Sequence, residues 1–100
     1  MSKENVTPPE KKAALEAIRV AFAGQDAPSQ RERLLAALSQ FAVSTFEAMR
    51  FLDIYDPRPR VHELRHQLGY KITTVWQISA TESGQKHRIG LYVLEGKVQP

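Results

Sequence analysis

Ser44 to Leu68, STFEAMRFLDIYDPRPRVHELRHQL, reads as two short helices joined by a tight turn. The first half opens with a capping box: the Ser44 hydroxyl can accept from the amide three residues on, while Glu47 reaches back to the Ser44 amide. The second half opens with Asp56 as N-cap and Pro57 at the first helical position, where a missing N–H does no harm. Leu52-Asp53-Ile54-Tyr55 lies between them, long enough for a turn and too short to link domains. A helix, a short turn and a second helix carrying Arg58, Arg60, His62, Arg65 and His66 have the layout of a helix-turn-helix, whose second helix enters a DNA major groove.

Counting about 100° per residue from Val61, Pro57, Val61, Leu64 and Leu68 fall in one narrow sector that must face a core. Pro59, His62, Glu63 and His66 point nearly opposite, Arg58 and Arg65 flank one side, and Arg60 and Gln67 flank the other. A mostly solvated helix with arginines on both shoulders suits insertion into a groove. The competing reading is a plain solvated face with a local Arg60–Glu63 pair.

Downstream, Gly69 ends the helix and the period changes. Ile72, Thr74, Trp76 and Ile78 alternate with Lys71, Thr73, Val75 and Gln77, so Lys71 to Ser79 is expected to be a strand, with Trp76 in the core beside Ile72 and Ile78. Ala80 to Gln85 forms a turn around Ser83-Gly84. Lys86 to Leu94 returns with Ile89, Leu91 and Val93 on one face and Lys86 and Arg88 on the other. A helix-turn-helix followed directly by such a hairpin is a winged helix, and Lys86, His87 and Arg88 stand next to the wing tip, where phosphate contacts would be made.

Upstream, residues 1 to 6 carry no pattern and are expected to be disordered. Thr7 with Glu10 forms a capping box, and Leu15, Ile18 and Phe22, with Ala14 and Ala21, form one apolar stripe. A helix is expected from about Pro8 to Ala23, stopped by Gly24. Its stripe either packs on the rest of the chain or serves a homodimer. Ser29 with Glu32 repeats the capping box before a second helix, roughly Gln30 to Gln40, built on Leu34, Leu35 and Leu38. The fold class expected is α+β: a winged helix-turn-helix, with a three-helix core and a C-terminal β-hairpin wing, preceded by an additional N-terminal helix. The divisions are 1–28 (disordered start, helix and linker), 29–95 (winged domain) and 96–100 (tail).

One hundred residues make one domain with one core. The sequence has no cysteine, which removes disulfide frameworks, thiolate zinc sites and cysteine nucleophiles. No apolar run approaches the roughly 20 residues of a membrane span, and MSKENVTPPEKK lacks the apolar core of a signal peptide, so a cytoplasmic location without membrane partners is expected. The net charge of +3 is uneven: residues 1–28 are neutral, 29–56 carry −1, and 57–100 carry +4 and all three histidines. A basic half that begins at the second helix of a helix-turn-helix is the footprint of a nucleic-acid face.

The sequence offers no serine-centred elbow, no glycine-rich phosphate loop and no carboxylate pair in a pocket, so no enzyme and no cofactor is expected. His62 and His66, at i and i+4 with Glu63 beside them, have a spacing that can hold a metal. No third ligand is apparent, and they read as polar groups on a recognition helix. Trp76 with Tyr55, Tyr70 and Tyr92 raises stacking on single strands, against which stands the strand face Trp76 shares with Ile72 and Ile78.

Arg60-Val61-His62-Glu63-Leu64-Arg65, followed by Leu68-Gly69-Tyr70-Lys71-Ile72 and later by Gly84, Arg88 and Leu91-Tyr92-Val93-Leu94, resembles the small winged helix-turn-helix proteins of phages and integrated mobile elements. These share an R-hydrophobic-x-E-L-R helix, a G-Y-x-I strand start and a hairpin closing in Y-x-L. The likeness covers about Ser29 to Leu94, including the Q-R-x-R-L-L-x-A-L helix from Gln30 to Leu38. It implies a three-helix winged fold and DNA binding, without naming a target. The chain departs from the pattern in its extra first helix and in the prolines at 57 and 59, which stiffen the start of the second helix.

Two function classes stay open. In the first, a small protein binds double-stranded DNA sequence-specifically, as a transcriptional regulator or an excisionase-like factor. Arg58, His62, Arg65 and His66 then approach base edges, Arg60, Lys86 and Arg88 neutralise phosphates beside His87, and a homodimer through the first helix reaches a second half-site. In the second, the chain is a protein-interaction module or inhibitor on a winged-helix scaffold, its arginine-bearing helix meeting an acidic protein partner.

Overall fold

The computed structural model describes residues 7–80 and 83–97. The expected disorder of residues 1–6, part of the wing turn at 81–82 and the end of the tail at 98–100 lie outside them. The elements run α1 (Pro9–Ala21), α2 (Ala27–Leu38), β1 (Val43–Ser44), α3 (Thr45–Phe51), α4 (Pro57–His66), β2 (Tyr70–Ala80) and β3 (Lys86–Lys97). The strands form one antiparallel sheet in the order β1-β3-β2.

Cap chemistry sets where the helices begin. The Ser44 box at α3 is complete: the Glu47 amide donates to Ser44 Oγ at 3.0 Å, and the Ser44 amide donates to Glu47 Oε1 at 3.0 Å. At α4 the Arg58 amide donates to Asp56 Oδ1 at 3.2 Å, with Pro57 at the first position. The two upstream boxes do not form. Asp26, three residues before the expected cap, starts α2, and Ser29 donates to it through its hydroxyl at 2.7 Å. At α1, Thr7 donates instead to Glu47 Oε2 on α3 at 2.7 Å, and the helix begins at Pro9 with no side-chain cap.

Glu47 thus caps its own helix and anchors the N-terminal segment, since Lys11 Nζ also lies 2.9 Å from Oε1. Burial pushes this carboxyl upward, but the Ser44 amide, the Thr7 hydroxyl and the Lys11 ammonium outweigh it and hold the group below its ordinary value of 4.5. A carboxyl depressed in the folded state contributes stability above its unfolded pKa and loses it as pH falls through the folded value. Glu47→Gln is therefore expected to lower the unfolding free energy at neutral pH by about 1–3 kcal/mol. The deficit should shrink as the pH is lowered below the ordinary carboxylate range, a trend that denaturant titrations at a series of pH values will resolve.

One core joins Leu15 and Ile18 of α1, Leu34, Ala37 and Leu38 of α2, Ala48 and Leu52 around α3, Val61 and Leu64 of α4, and Val43, Ile54, Ile72 and Tyr92. Helix α1 packs on α2 and α3. Leu15 and Ile18 of the stripe that could have served a homodimer are thereby covered within the monomer, while Ala21 and Phe22 at its far end are exposed.

Buried at the junction of α1, α2 and α3 is Arg33, only 1% exposed. Its Nε donates to Leu52 O at 2.8 Å, Nη1 donates to Phe22 O at 2.8 Å and Gly24 O at 2.6 Å, and Nη2 donates to Asp53 O at 3.4 Å. These carbonyls end α1 and α3, where helix carbonyls have no intrahelical partner and the helix dipole favours a cation.

The turn after α3 holds Asp53 at φ 54, in the left-handed region. Aspartate tolerates that conformation better than most side chains, and a β-branched one does not. Asp53→Val is expected to cost about 1–2 kcal/mol while Asp53→Gly stays near the parent, as thermal unfolding of the pair will show.

The wing corrects two expectations. Trp76, placed in the core by its alternation with Ile72, is 59% exposed, and Ile78 is exposed as well. The face is continuous, but the core covers only its base, where Ile72 and Tyr92 are buried, and Trp76 and Ile78 lie beyond that cover. The second correction is at the C-terminal end, where Gly96 and Lys97 are strand rather than tail, pairing with Lys71 and Tyr70 across an irregularity at Lys71/Ile72.

Candidate nucleic-acid interface

Three attachments fix α4 and decide which of its side chains are left to meet a ligand. Pro57, Val61 and Leu64 enter the core. On one flank Glu63 bridges two arginines: Arg31 Nη1 of α2 lies 3.0 Å from Oε1, and Arg60 reaches Oε1 through Nε at 2.9 Å and Oε2 through Nη2 at 3.0 Å. Arg60 Nη1 also donates to Gln30 Oε1 at 3.4 Å. On the other flank Arg65 Nε donates to Ile72 O at 2.8 Å and Nη2 donates to Thr74 Oγ1 at 2.7 Å. Two arginines expected at the DNA therefore have partners inside the protein: Arg60 ties α4 to α2, and Arg65 ties it to the wing.

What α4 turns outward is Arg58, Pro59, His62 and His66, all exposed. The two imidazoles stack on each other with ring centroids 4.5 Å apart at 46°. Arg58 grips its own N-cap, with Nε 3.0 Å from Asp56 Oδ1 and Nη2 donating to Oδ2 at 3.2 Å. The Arg58 guanidinium holds the Asp56 carboxyl below its usual range, and Asp56 in turn raises Arg58. The Arg58 side chain is 78% exposed, so water screens the pair and exchanging Asp56 for another anion costs little.

The wing supplies Lys86, His87 and Arg88, all exposed. Arg88 lies over the Trp76 ring, its guanidinium carbon 4.6 Å from the centroid. Across from Trp76 stands Gly90, where a Cβ would meet Thr74 Cγ2 at 3.3 Å and the indole at 3.6 Å. Thr74 is the neighbour a side chain there would press on, while the indole would meet it in ordinary contact.

Between α3, the turn before α4 and this part of the sheet opens a cleft of about 470 Å3, lined among others by Phe46, Met49, Tyr55, Arg58, Trp76 and Arg88. Phe46, Met49, Tyr55 and Trp76 are exposed. Sequence reasoning missed this cleft because alternation reports which face a residue takes, not where the covering layer stops.

A helix-turn-helix whose second helix is outward, with β1 closing on a C-terminal hairpin, is a recognisable plan, and the family model for the winged helix-turn-helix domain matches residues 29–97. The chain belongs to the winged helix-turn-helix domain family. Winged helix-turn-helix domains are a DNA-binding fold, usually without enzymatic activity, and membership supports a DNA-binding role in general. Among the described residues, four helices and three antiparallel strands have the α+β layout of this family, with α1 added ahead of the matched residues. Comparisons with curated proteins and with solved structures found no significant match. Among the described residues no group of three His, Cys, Asp or Glu side chains could hold a metal ion, and no helix is long and apolar enough to cross a membrane.

Proposed function

We propose that the chain is a small, sequence-specific, double-stranded DNA-binding protein that acts in the cytoplasm as a transcriptional regulator or excisionase-like accessory factor of a phage or mobile element. The observation that carries this reading is the uncovered outward face of α4 beside an exposed, basic wing. Arg58, His62 and His66 reach for base edges, and Lys86, His87 and Arg88 for phosphates. Arg60 and Arg65 serve by holding α4 at a fixed angle to α2 and the wing. The winged unit begins at residue 29 and runs to the end of β3, and α1 packs on its α2 and α3.

One observation favours a second reading, a protein-interaction module with an acidic partner. With Arg60 and Arg65 engaged internally and Arg58 paired with Asp56, the positive field of α4 is weaker than its sequence suggests. Reversing charge at two exposed positions separates the readings. Arg58→Glu with Lys86→Glu is expected to weaken duplex binding, read by fluorescence anisotropy, by about a hundredfold or more. Unchanged duplex binding in that variant would remove the DNA surface and leave the protein-partner reading.

A further inference from the structure

The cleft between α3 and the wing opens beside the groove-reading surface and shares Arg58 and Arg88 with it. We propose that it receives a single unpaired nucleobase of the DNA held on α4 and the wing, an inference that rests on the DNA-binding reading and extends it. Three observations support this occupant.

The first is the shape and chemistry of the walls. Trp76 and Tyr55 are largely exposed, at 59% and 89%, and the Arg88 guanidinium, itself planar, lies over the indole. Planar walls of this kind suit a heteroaromatic ring, since every base has a π-face and stacking tolerates any sequence.

The second is charge. A base arrives with its phosphate, and among the described residues no carboxylate pairs with Arg88, whose contact is the Trp76 ring. Asp56 balances Arg58 at the opposite rim, so among the described residues Arg88 is a cleft cation without a carboxylate partner where the backbone would enter.

The third is continuity. Arg58 belongs to both the α4 face and the cleft, and Arg88 to both the wing and the cleft. A strand running from one surface to the other passes the opening, so a base turned out of that strand meets the aromatic walls without the protein releasing its hold.

Either a base extruded from a duplex or one on a single strand could supply the ligand. The test therefore uses three probes of one sequence: a paired duplex, the same duplex with one extra unpaired 2-aminopurine, and the single strand. The bulged duplex is expected to bind at least about fivefold more tightly than the paired one, with quenching of 2-aminopurine. In Trp76→Leu both the preference and the quenching should vanish while paired-duplex affinity stays within about twofold. Tyr55→Ala should act the same way, which guards against a local effect of the tryptophan change. Tighter binding of the single strand than of the bulged duplex, again dependent on Trp76, would assign the base to single strands. Equal binding of paired and bulged duplexes, or a preference that survives Trp76→Leu, overturns the proposal while leaving duplex binding in place. Failure of the wild type to bind any of the three probes overturns both readings.

Discussion

Arg33→Met is expected to lower the unfolding free energy by about 3–5 kcal/mol, the cost of breaking a buried, fully bonded cation site by removing one partner. Methionine approximates the length of the side chain, so the loss reports chemistry more than volume. Four carbonyls at the ends of α1 and α3 converge on the guanidinium, and each buried acceptor left without a donor carries a penalty of about 1–3 kcal/mol. Some of the four will find water, because Phe22 lies at an exposed corner, which keeps the expected total below the simple sum. For a domain with a total stability of about 5–15 kcal/mol, the loss is large enough to show as a clear fall in the urea midpoint. Arg33→Lys keeps the charge but cannot fork to both helix ends and should recover less than half. A loss below about 1 kcal/mol for Arg33→Met would mean that the helix ends do not depend on this side chain.

The second large effect is expected at Arg65. Arg65→Ala should cost about 1.5–3 kcal/mol, the range for hydrogen bonds made by a charged group, and should also weaken duplex binding although the side chain lies against the protein. The two bonds to Ile72 O and Thr74 Oγ1 join α4 to β2. Without them the angle between reading helix and wing is held by the core contacts alone, and two surfaces that must engage one duplex together lose their fixed relation. Arg65→Lys is not a conservative replacement, because an ammonium cannot span both acceptors. Faster hydrogen exchange in β2, measured alongside affinity, would separate a loosened wing from a lost DNA contact. Weakened binding with unchanged stability and exchange would mean that Arg65 touches DNA directly.

The motif that carried the family resemblance turns out to be scaffold. In Arg60-Val61-His62-Glu63-Leu64-Arg65, Val61 and Leu64 are core, Arg60 and Glu63 bind α2, and Arg65 binds β2. Only His62 faces out, so the motif specifies how α4 is mounted and leaves the target unspecified. This is why the fold was legible and the DNA contacts were less so: a wheel places Arg60 and Arg65 on the shoulders of the stripe, but whether a shoulder meets water or a neighbouring element depends on packing the wheel does not contain. The same limit hid Arg33, although its place one turn before Ala37 puts it on the buried face of α2. The caps at Ser44 and Asp56 were legible because each is decided within a few residues. Thr7 was not, since Glu47, forty positions away, competes for its hydroxyl and wins.

The most direct test of a DNA-binding surface built from α4 and the wing is the salt dependence of duplex binding by the intact chain and by Lys86→Ala with Arg88→Ala. A linear fall of log K with log salt is expected, since binding releases counterions from the phosphates, and the double variant should reduce the slope by about 2. A duplex interaction insensitive to salt, or a slope unchanged by removing both wing cations, would contradict the account.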